Sequence, residues 1–251
     1  MNCYVFTKKQ VLSFGALALA LIVGAAISVS AFAKTERRLP IYSVETEEKK
    51  IAISFDAAWG ADDTDTLISV LRQYNVPATF FVVAQWVDKY PEEVKKLSEA
   101  GNDVMNHSTT HPYMTSLSKE RMLAELSDCN EKIAAITGKT PTLFRCPYGD
   151  YNNAVIDTVE SIGMKAIQWD VDSLDWKGTS TVESIVTRVT EKVKPGSIVL
   201  FHNDADHTPE ALPIVLERLI SDGYAFVKIA DLIYTEGYTI DHTGKQIRNA
   251  D

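Results

Sequence analysis

Short apolar runs alternate with longer amphipathic segments along most of this chain. The apolar runs have the length and the β-branched and aromatic content of buried strands, and they fall at 51–55, 78–83, 103–106, 142–145, 164–169, 197–201 and 225–228. Helical patterns lie between them, around 64–74, 91–100, 118–137, 153–162, 181–193 and 209–222. This alternation predicts an α/β fold with a parallel sheet, and the chain length favours a single-domain, distorted (β/α) barrel of about seven parallel strands.

The segment 118–137 carries the clearest helical signals. Ser118 is placed to cap its start, and Gly138 is placed to end it. An apolar stripe at helical spacing follows one side of the segment and consists of Met122, Leu126, Cys129, Ile133 and Ile136. We therefore expect this helix to pack against the rest of the fold through that stripe.

The N-terminus carries an uncharged apolar run at 11–33, preceded by Lys8 and Lys9. This pattern fits a cleaved signal peptide with a small-x-small site at 31–33, and it equally fits an uncleaved signal anchor. Either alternative places the rest of the chain outside the cytoplasm, membrane-anchored or secreted. The predicted organisation is a signal peptide or anchor at 1–33, a linker at 34–49, one catalytic-type domain at 50–235 and a polar tail at 236–251.

Composition narrows the class of protein without naming its substrate. Of 251 residues, 45% are hydrophobic and 24% are charged, which is typical of a globular protein. The net charge of -9 argues against nucleic acid or an anionic membrane surface as the main partner. Cys129 and Cys146 are the cysteines of the exported part, and a disulfide between them is possible but not required.

Residues with catalytic side chains recur where predicted strands end. Asp56 follows the first strand, His107 the third, Arg145 ends the fourth, and His202 ends the sixth, while Asp175 follows the fifth. Individually, a strand-end aspartate is more often a cap, and a lone histidine is more often structural. Since the carboxyl ends of barrel strands meet at one face, their joint placement favours an active site there.

Four short motifs suggest what that site does. The HxxxH spacing of His107 and His111 can present two nitrogen ligands to one divalent metal. The turn that follows Arg145 can direct backbone N–H groups at an oxyanion. The segment 172–176 offers carboxylates beside an aromatic residue, and His202 sits where an acid or base with a pKa near about 6.5 would be useful.

The ordered set SFDxxWG, HSTTHP, RCPYG, DVDSLDW and VLFH resembles the polysaccharide deacetylases of carbohydrate esterase family 4, the NodB homology domain. The resemblance covers roughly 48–235, and the Trp59-Gly60 pair is similar to the PdaB-like sporulation branch. It implies a NodB-type barrel and metal-dependent hydrolysis of N-acetyl groups, sometimes O-acetyl groups, on peptidoglycan or chitin-like glycan. The implied partner is therefore acetylated cell-wall glycan, with the membrane as a second partner if the N-terminal segment stays uncleaved.

The resemblance also implies roles for the catalytic residues. Asp56 matches the general base that takes a proton from metal-bound water, and Arg145 matches the residue that orients this base. His202 matches the general acid that protonates the leaving amine, and Asp175 matches the carboxylate that keeps this histidine cationic. The implied charges are opposite for base and acid, as hydrolysis at one site requires.

Metal and substrate contacts follow from the same comparison. His107 and His111 match two ligands of a divalent metal, with zinc expected and cobalt, nickel or iron as alternatives. Tyr148 matches the position whose backbone N–H helps to hold the tetrahedral oxyanion. Trp176 and Leu200 match the walls of the acetyl pocket.

This chain departs from the family pattern at two positions. Ala57 stands where the family carries an aspartate that is the third metal ligand, and Cys146 replaces a proline. Asp62 or Asp63 could supply the missing ligand, water could fill the gap, or metal binding could be lost, leaving a non-catalytic glycan-binding protein on the same fold. Because the base, the acid, the arginine and both histidines are present, we expect an active but atypical deacetylase.

Overall fold

The computed structural model describes residues 8, 9 and 36–249. The chain divides into two units, 1–37 and 38–251, and the elements below belong to the second. Of the predicted signal segment, only Lys8 and Lys9 are described, and both are helical, so the apolar run at 11–33 lies outside the described residues. Among the residues that are described, no helix has the length and apolar content needed to span a bilayer.

Seven parallel strands form the central, curled sheet. The strands in the described part of the chain are β1 (Ser43–Val44), β2 (Lys50–Ala57), β3 (Ala78–Val82), β4 (Asp103–Asn106), β5 (Leu143–Arg145), β6 (Lys165–Ile167), β7 (Val171–Asp172), β8 (Ile198–His202), β9 (Ala225–Phe226), β10 (Tyr238–Ile240) and β11 (Lys245–Arg248). The seven strands of the central sheet lie in the order β6-β5-β4-β3-β2-β8-β7, and β9 pairs with β2 beside this path. The predicted fold class, a single-domain (β/α) barrel of NodB type, is confirmed.

Helices connect the strands of the sheet. Those in the described residues are α1 (Thr64–Gln73), α2 (Ala84–Lys89), α3 (Pro91–Glu99), α4 (Lys119–Thr137), α5 (Asn153–Ser161), α6 (Val182–Lys192), α7 (Thr208–Ser221) and α8 (Ile229–Leu232). In α4 the Ser118 hydroxyl accepts a hydrogen bond from the Arg121 N–H, and Gly138 ends the helix with a left-handed φ of 71°. Sequence patterning did not predict the short helices α2 and α8 or the two-residue strand β7.

Strand β2 lies between β3 and β8 in the sheet, and its side chains pack into two apolar clusters. Ile51, Ile53 and Phe55 contribute to one apolar cluster together with residues of the surrounding helices, whereas Ala52 belongs to a second cluster. Phe55 stacks on Phe80 of β3, with ring centroids 4.7 Å apart. Because alternate residues of a strand point to opposite faces, Ser54 and Asp56 are directed away from the first cluster, towards the interior of the barrel.

The predicted linker and polar tail contain regular structure. Strand β1 pairs in parallel with β11, and β10 pairs antiparallel with β11, so that 43–44, 238–240 and 245–248 form a separate three-stranded sheet. The Tyr42 N–H donates to the Gly244 carbonyl oxygen at 2.8 Å, in a position where a β-carbon on Gly244 would strike the Tyr42 ring. The tail is therefore attached to the segment that precedes β2, and the domain limits at 50 and 235 stay a prediction.

Candidate active site

The structure brings the sequence-predicted residues together at the carboxyl end of the sheet. Strands β2 and β8 are adjacent and parallel, and their register pairs Asp56 with His202. His107 follows β4 directly, and Arg145 is the last residue of β5. The expected clustering of these side chains at one face of the barrel is therefore observed.

Asp56 is held by a buried arginine. Arg145 is fully buried, and its Nη1 donates to Asp56 Oδ1 at 2.7 Å while its Nη2 donates to Ser54 Oγ at 2.8 Å. The guanidinium lies over the Phe81 ring, 4.1 Å from its centroid. Burial alone would raise the pKa of Asp56, but the charge of Arg145, with smaller contributions from His107 and His202, holds it below its usual value. Asp56 is therefore an anion in a fixed orientation near neutral pH.

The two histidines of the HxxxH motif are neighbours and neutral. Their ring centroids are 5.0 Å apart. Burial lowers the pKa of His107, and burial, with a smaller electrostatic contribution from the neighbouring His107 ring, lowers the pKa of His111 to about 4. Neutral imidazoles are the form that binds metals.

Backbone strain and one carboxylate shape the loop between these histidines. Ser108 and His111 have left-handed φ angles of 73° and 58°. Glu125 of α4 is buried and accepts hydrogen bonds from the backbone N–H groups of Thr109 and Thr110 at 2.9 and 2.8 Å. Glu125 lies beside the predicted apolar stripe of α4 and anchors the loop through these hydrogen bonds. Helical periodicity alone did not predict this role.

The donor atoms near the histidines partly fit a metal. His107 Nδ1 donates to the Arg145 carbonyl oxygen at 2.8 Å, so its Nε2 carries a lone pair, which faces Asp56 Oδ2 at 3.5 Å. His111 Nδ1 is buried and has no hydrogen-bond partner. Lone pairs that face a carboxylate or lack a partner are stabilised by a cation, so these two imidazoles fit as metal ligands.

A third protein ligand is absent from the described part of the chain. No group of three or more His, Cys, Asp or Glu side chains there is arranged to hold a metal. Ala57 is buried in an apolar cluster, and Asp63 accepts a hydrogen bond from the backbone N–H of Asp204 instead of lining the cavity. The alternative in which Asp62 or Asp63 replaces the missing aspartate is therefore not seen in this structure.

His202 is paired with a buried carboxylate. Its Nδ1 lies 2.8 Å from Asp175 Oδ1, and Asp175 Oδ2 accepts from the His202 N–H at 2.8 Å and from the Thr208 hydroxyl at 2.7 Å. Burial alone would lower the pKa of His202, but the hydrogen bond and charge of Asp175 outweigh it and raise this pKa. The cationic form is favoured, which suits a proton donor.

Most of the side chains described above line a single cavity of about 480 Å³. Arg145 and Asp175 do not line this cavity. They contact two residues that do, Asp56 and His202 respectively. The lining of the cavity includes every other predicted site residue, namely Asp56, His107, His111, His202, Tyr148, Trp176 and Leu200. Asp172, from the strand-end segment 172–176, also lines it, as do three residues that sequence reasoning did not assign to the site: Ala58, Trp59 and Trp169. Trp169 lies just after β6, so its strand-end position was a usable signal.

The two cysteines among the described residues lie outside the lining of this cavity. Cys129 and Cys146 are both buried and both free, so the possible disulfide between them is not formed. Burial raises the pKa of the Cys129 thiol to about 12, and it also raises the pKa of Cys146. Cys146 packs in an apolar cluster, where it fills space as a small hydrophobic residue.

Comparison with known proteins places the chain in a family. A family model described as polysaccharide deacetylase matches residues 43–167. A peptidoglycan-N-acetylglucosamine deacetylase of Bacillus cereus is 36% identical over 197 residues, which cover 76% of this chain and 92% of that protein. The chain belongs to the polysaccharide deacetylase family. The predicted family is thus confirmed, while the finer assignment to the PdaB-like branch stays a prediction.

Two further relatives show the diversity of this deacetylase family. The protein YlxY of Bacillus subtilis, described only as uncharacterized, is 31% identical over 77% of this chain, and the chain spans 60% of its length. The crystal structure of BA3943 of Bacillus anthracis, described as a pseudoenzyme of carbohydrate esterase family 4, has a TM-score of 0.74 and 32% identity over 77% of this chain and 68% of that one. Similarity to this deacetylase fold thus extends to a protein described as lacking activity.

Proposed function

We propose that this protein hydrolyses N-acetyl groups on cell-wall or spore-cortex polysaccharide, releasing acetate and leaving a free amine on the sugar. The observation that carries the proposal is the pairing of Asp56 and His202 on adjacent strands. One is held as an anion by Arg145 and the other as a cation by Asp175, and both face the same cavity. A base and an acid in opposite charge states at one site are what amide hydrolysis requires.

The side chains of this protein have distinct roles in that reaction. Asp56 accepts a proton from the water that attacks the acetyl carbonyl carbon, and Arg145 keeps its carboxylate in place. As the carbon–nitrogen bond breaks, His202 donates its proton to the leaving amine, so that acetate and amino sugar are the products. Trp176 and Leu200 form part of the cavity wall and keep the acetyl group away from bulk water.

A divalent metal, with zinc the expected ion, completes the proposal. His107 and His111 would hold it, and it would supply Lewis-acid activation of the water and the acetyl carbonyl. With two protein ligands instead of three, we expect weak binding and slow turnover.

The missing ligand also supports a second candidate function. The protein would then bind wall glycan without hydrolysing it, as a sporulation or wall-associated factor on the same fold. The structural likeness to BA3943, described as a pseudoenzyme, and a BA3943 mutant described as having restored enzymatic activity favour keeping this alternative.

The proposed site of action is outside the cytoplasm. The basic and apolar N-terminal segment would export the chain and either anchor it to the membrane or be removed. The finer proposal, a role in sporulation, rests on the Trp59-Gly60 pair and its similarity to the PdaB-like branch.

Acetate release tests the two functions directly. The purified chain is incubated with N-acetylglucosamine oligomers and with peptidoglycan, each with and without added zinc or cobalt, beside an Asp56→Asn variant. Metal-dependent acetate release by the parent and none by the variant is the expected result. Glycan binding without acetate release under any condition would establish the non-catalytic function instead.

A further inference from the structure

Two loops at the rim of the cavity adopt left-handed backbone conformations. The first is the histidine loop (107–116), in which His111 has a φ of 58°. The second is the tyrosine turn (146–150), in which Tyr148 has a φ of 59° and Gly149 a φ of 66°. Since residues other than glycine disfavour this region, such conformations persist only where the surrounding structure holds them in place.

The strained residues of the two loops lie against each other. The rings of His111 and Tyr148 meet edge to face, with centroids 4.5 Å apart, and both line the cavity. Tyr148 is 56% exposed, so burial of its own side chain does not hold it in this conformation. Contacts outside the cavity therefore have to fix where these two residues lie.

One carboxylate joins the two loops outside the cavity. Asp150 Oδ2 accepts a hydrogen bond from the Thr115 N–H at 2.8 Å, and both oxygens of this carboxylate lie 2.9 Å from the Thr115 hydroxyl. The two residues are 35 positions apart in the sequence. Since hydrogen bonds to an ionised acceptor are stronger than those between neutral groups, this contact ties the tyrosine turn to the histidine loop.

Two apolar contacts join the same loops. Tyr113 stacks on Tyr148, with an interplanar angle of 18° and centroids 4.3 Å apart. Met114 belongs to the same buried apolar cluster as Cys146. Apolar contacts are non-directional, whereas hydrogen bonds require a defined direction. The carboxylate of Asp150 therefore adds the orientation that packing alone does not supply.

The relative position of the two loops matters for the proposed reaction. His111 is a candidate ligand of the metal that would polarise the acetyl carbonyl, and the Tyr148 N–H matches the position that holds the oxyanion derived from this carbonyl. Both groups thus serve one oxygen atom of the substrate. A shift of about 1 Å between the loops would weaken one of these contacts in the transition state.

On these grounds we infer that Asp150 is a positioning residue: through Thr115 it holds the histidine loop and the tyrosine turn in register, so that both act on one substrate oxygen. The catalytic part of this inference rests on the proposed function. Neither Asp150 nor Thr115 is among the residues that line the cavity, so the link acts through His111 and Tyr148 and not by touching the substrate.

Amide hydrogen exchange of the purified full-length chain in EDTA tests the link without metal or substrate. Asp150→Ala is expected to speed exchange in the histidine loop, and Thr115→Val to speed exchange in the tyrosine turn, each by about threefold to tenfold. The effect on the opposite loop is decisive, because a carboxylate that stabilised only its own turn would leave the histidine loop unchanged. Asp241→Ala is the matched control, since Asp241 accepts from the N–H and hydroxyl of Thr243 in the tail, and it should change neither loop.

Zinc calorimetry and the kinetics of acetate release measure what the link does for the site. Asp150→Ala is expected to weaken zinc binding about tenfold, because His111 is no longer held in place. It is also expected to lower kcat about tenfold with little change in KM, since the lost alignment matters only in the transition state. Asp150→Asn, whose amide oxygen can still accept from the Thr115 N–H, is expected to restore most of both quantities.

The outcomes separate this inference from the proposed function. Unchanged exchange in the opposite loop for both variants would overturn the inference, whatever activity the parent shows. Faster exchange throughout the domain, or cross-loop effects with zinc affinity and kcat fully retained, would show a role in stability only and would also overturn it. Cross-loop effects with weakened zinc binding, in a protein that releases no acetate, would uphold the link while refuting the proposed catalysis.

Discussion

Asp175 Oδ1 lies 2.8 Å from His202 Nδ1, and the same carboxylate is fixed by the Thr208 hydroxyl and by the His202 backbone N–H. Burial alone would lower the pKa of His202, but its hydrogen bond to Asp175 and the charge of that carboxylate raise it. A proton donor with a raised pKa stays protonated to higher pH. On the alkaline side, activity is therefore expected to hold until the pH rises through the pKa of His202.

Replacing Asp175 by asparagine should lower the pH at which His202 loses its proton and activity falls. Asp175→Asn keeps the shape of the side chain and removes its negative charge, so burial then lowers the pKa of His202. The alkaline limb of the pH–rate profile of acetate release is expected to shift to lower pH, with the acid limb unchanged. A variant that loses activity equally at every pH would show that Asp175 has a purely structural role.

The residue at position 57 is expected to control how tightly a metal binds. Ala57→Asp is expected to supply the third ligand that the family resemblance places at this position, and to raise zinc affinity at least about tenfold, the equivalent of about 1.4 kcal/mol. Calorimetry with zinc measures this, and acetate release is expected to rise in parallel. Because Ala57 is only 1% exposed and packs in an apolar cluster, a lower melting temperature without metal is also expected.

Ala58→Asp is the matched control for that experiment. It adds the same charge one residue later, at a position that lines the cavity. If Ala58→Asp and not Ala57→Asp tightens zinc binding, the missing ligand belongs at residue 58. If neither variant does so, two imidazoles do not form the core of a metal site in this protein.

Gly60 lies where two loops approach closely. Its N–H donates to Asp204 Oδ2 at 3.1 Å, and a β-carbon at this position would collide with the Asp204 carboxylate. Gly60→Ala is expected to lower the free energy of unfolding by about 1 kcal/mol, because the Asp204 side chain must rotate away and then no longer accepts the hydrogen bond from the residue 60 N–H. Urea denaturation measures the change, and Gly178→Ala, where an added β-carbon meets nothing within 4 Å, should be close to neutral.

Glu125 anchors the loop that carries the two histidines. Glu125→Ala leaves the backbone N–H groups of Thr109 and Thr110 without their partner, so a loss of about 1–3 kcal/mol in unfolding free energy is expected. Zinc affinity should fall as well, because His107 and His111 are no longer held at a fixed separation. Glu131→Ala, on an exposed position of the same helix, is the control and should change neither quantity.

Part of this structure followed directly from the sequence. Apolar runs of strand length and helical periodicity predicted the barrel because burial controls those patterns, and α4 matches its predicted span closely. The clustering of Asp56, His107 and His202 followed from the geometry of parallel strands, whose carboxyl ends share one edge.

Other features were not predictable from local pattern. The tail forms a sheet with the segment before β2 through backbone pairing that its polar side chains do not signal. Three side-chain contacts depend on residues distant in sequence. They are the hydrogen bond between Asp63 and the Asp204 N–H, the hydrogen bonds of Glu125 to the histidine loop, and the stacking of Tyr113 on Tyr148. Such contacts arise from the tertiary fold, and no motif spacing encodes them.

Asp63 was a candidate metal ligand, and its surroundings make it a source of instability instead. Burial, followed by repulsion from Asp204 and Asp175, raises its pKa to about 6, although the hydrogen bond from the Asp204 N–H opposes this shift. An acid whose pKa is higher in the folded state than in the unfolded state destabilises the fold when charged. The free energy of unfolding that is lost through the charged Asp63 is therefore recovered as the pH falls from about 6 towards 3.8 and the carboxylate is protonated in the folded state.

Asp63→Asn should remove that dependence. The amide oxygen can still accept the hydrogen bond from Asp204, but the side chain no longer carries charge at pH 7. We expect the variant to be more stable at pH 7 by about 1 kcal/mol, a value reduced for solvent screening at this partly exposed site, and to differ little from the parent near pH 4. Denaturation curves at both pH values measure this. A variant less stable than the parent at pH 7 would show that the Asp63 carboxylate is a required partner in this loop, for a cation or for the Asp204 N–H.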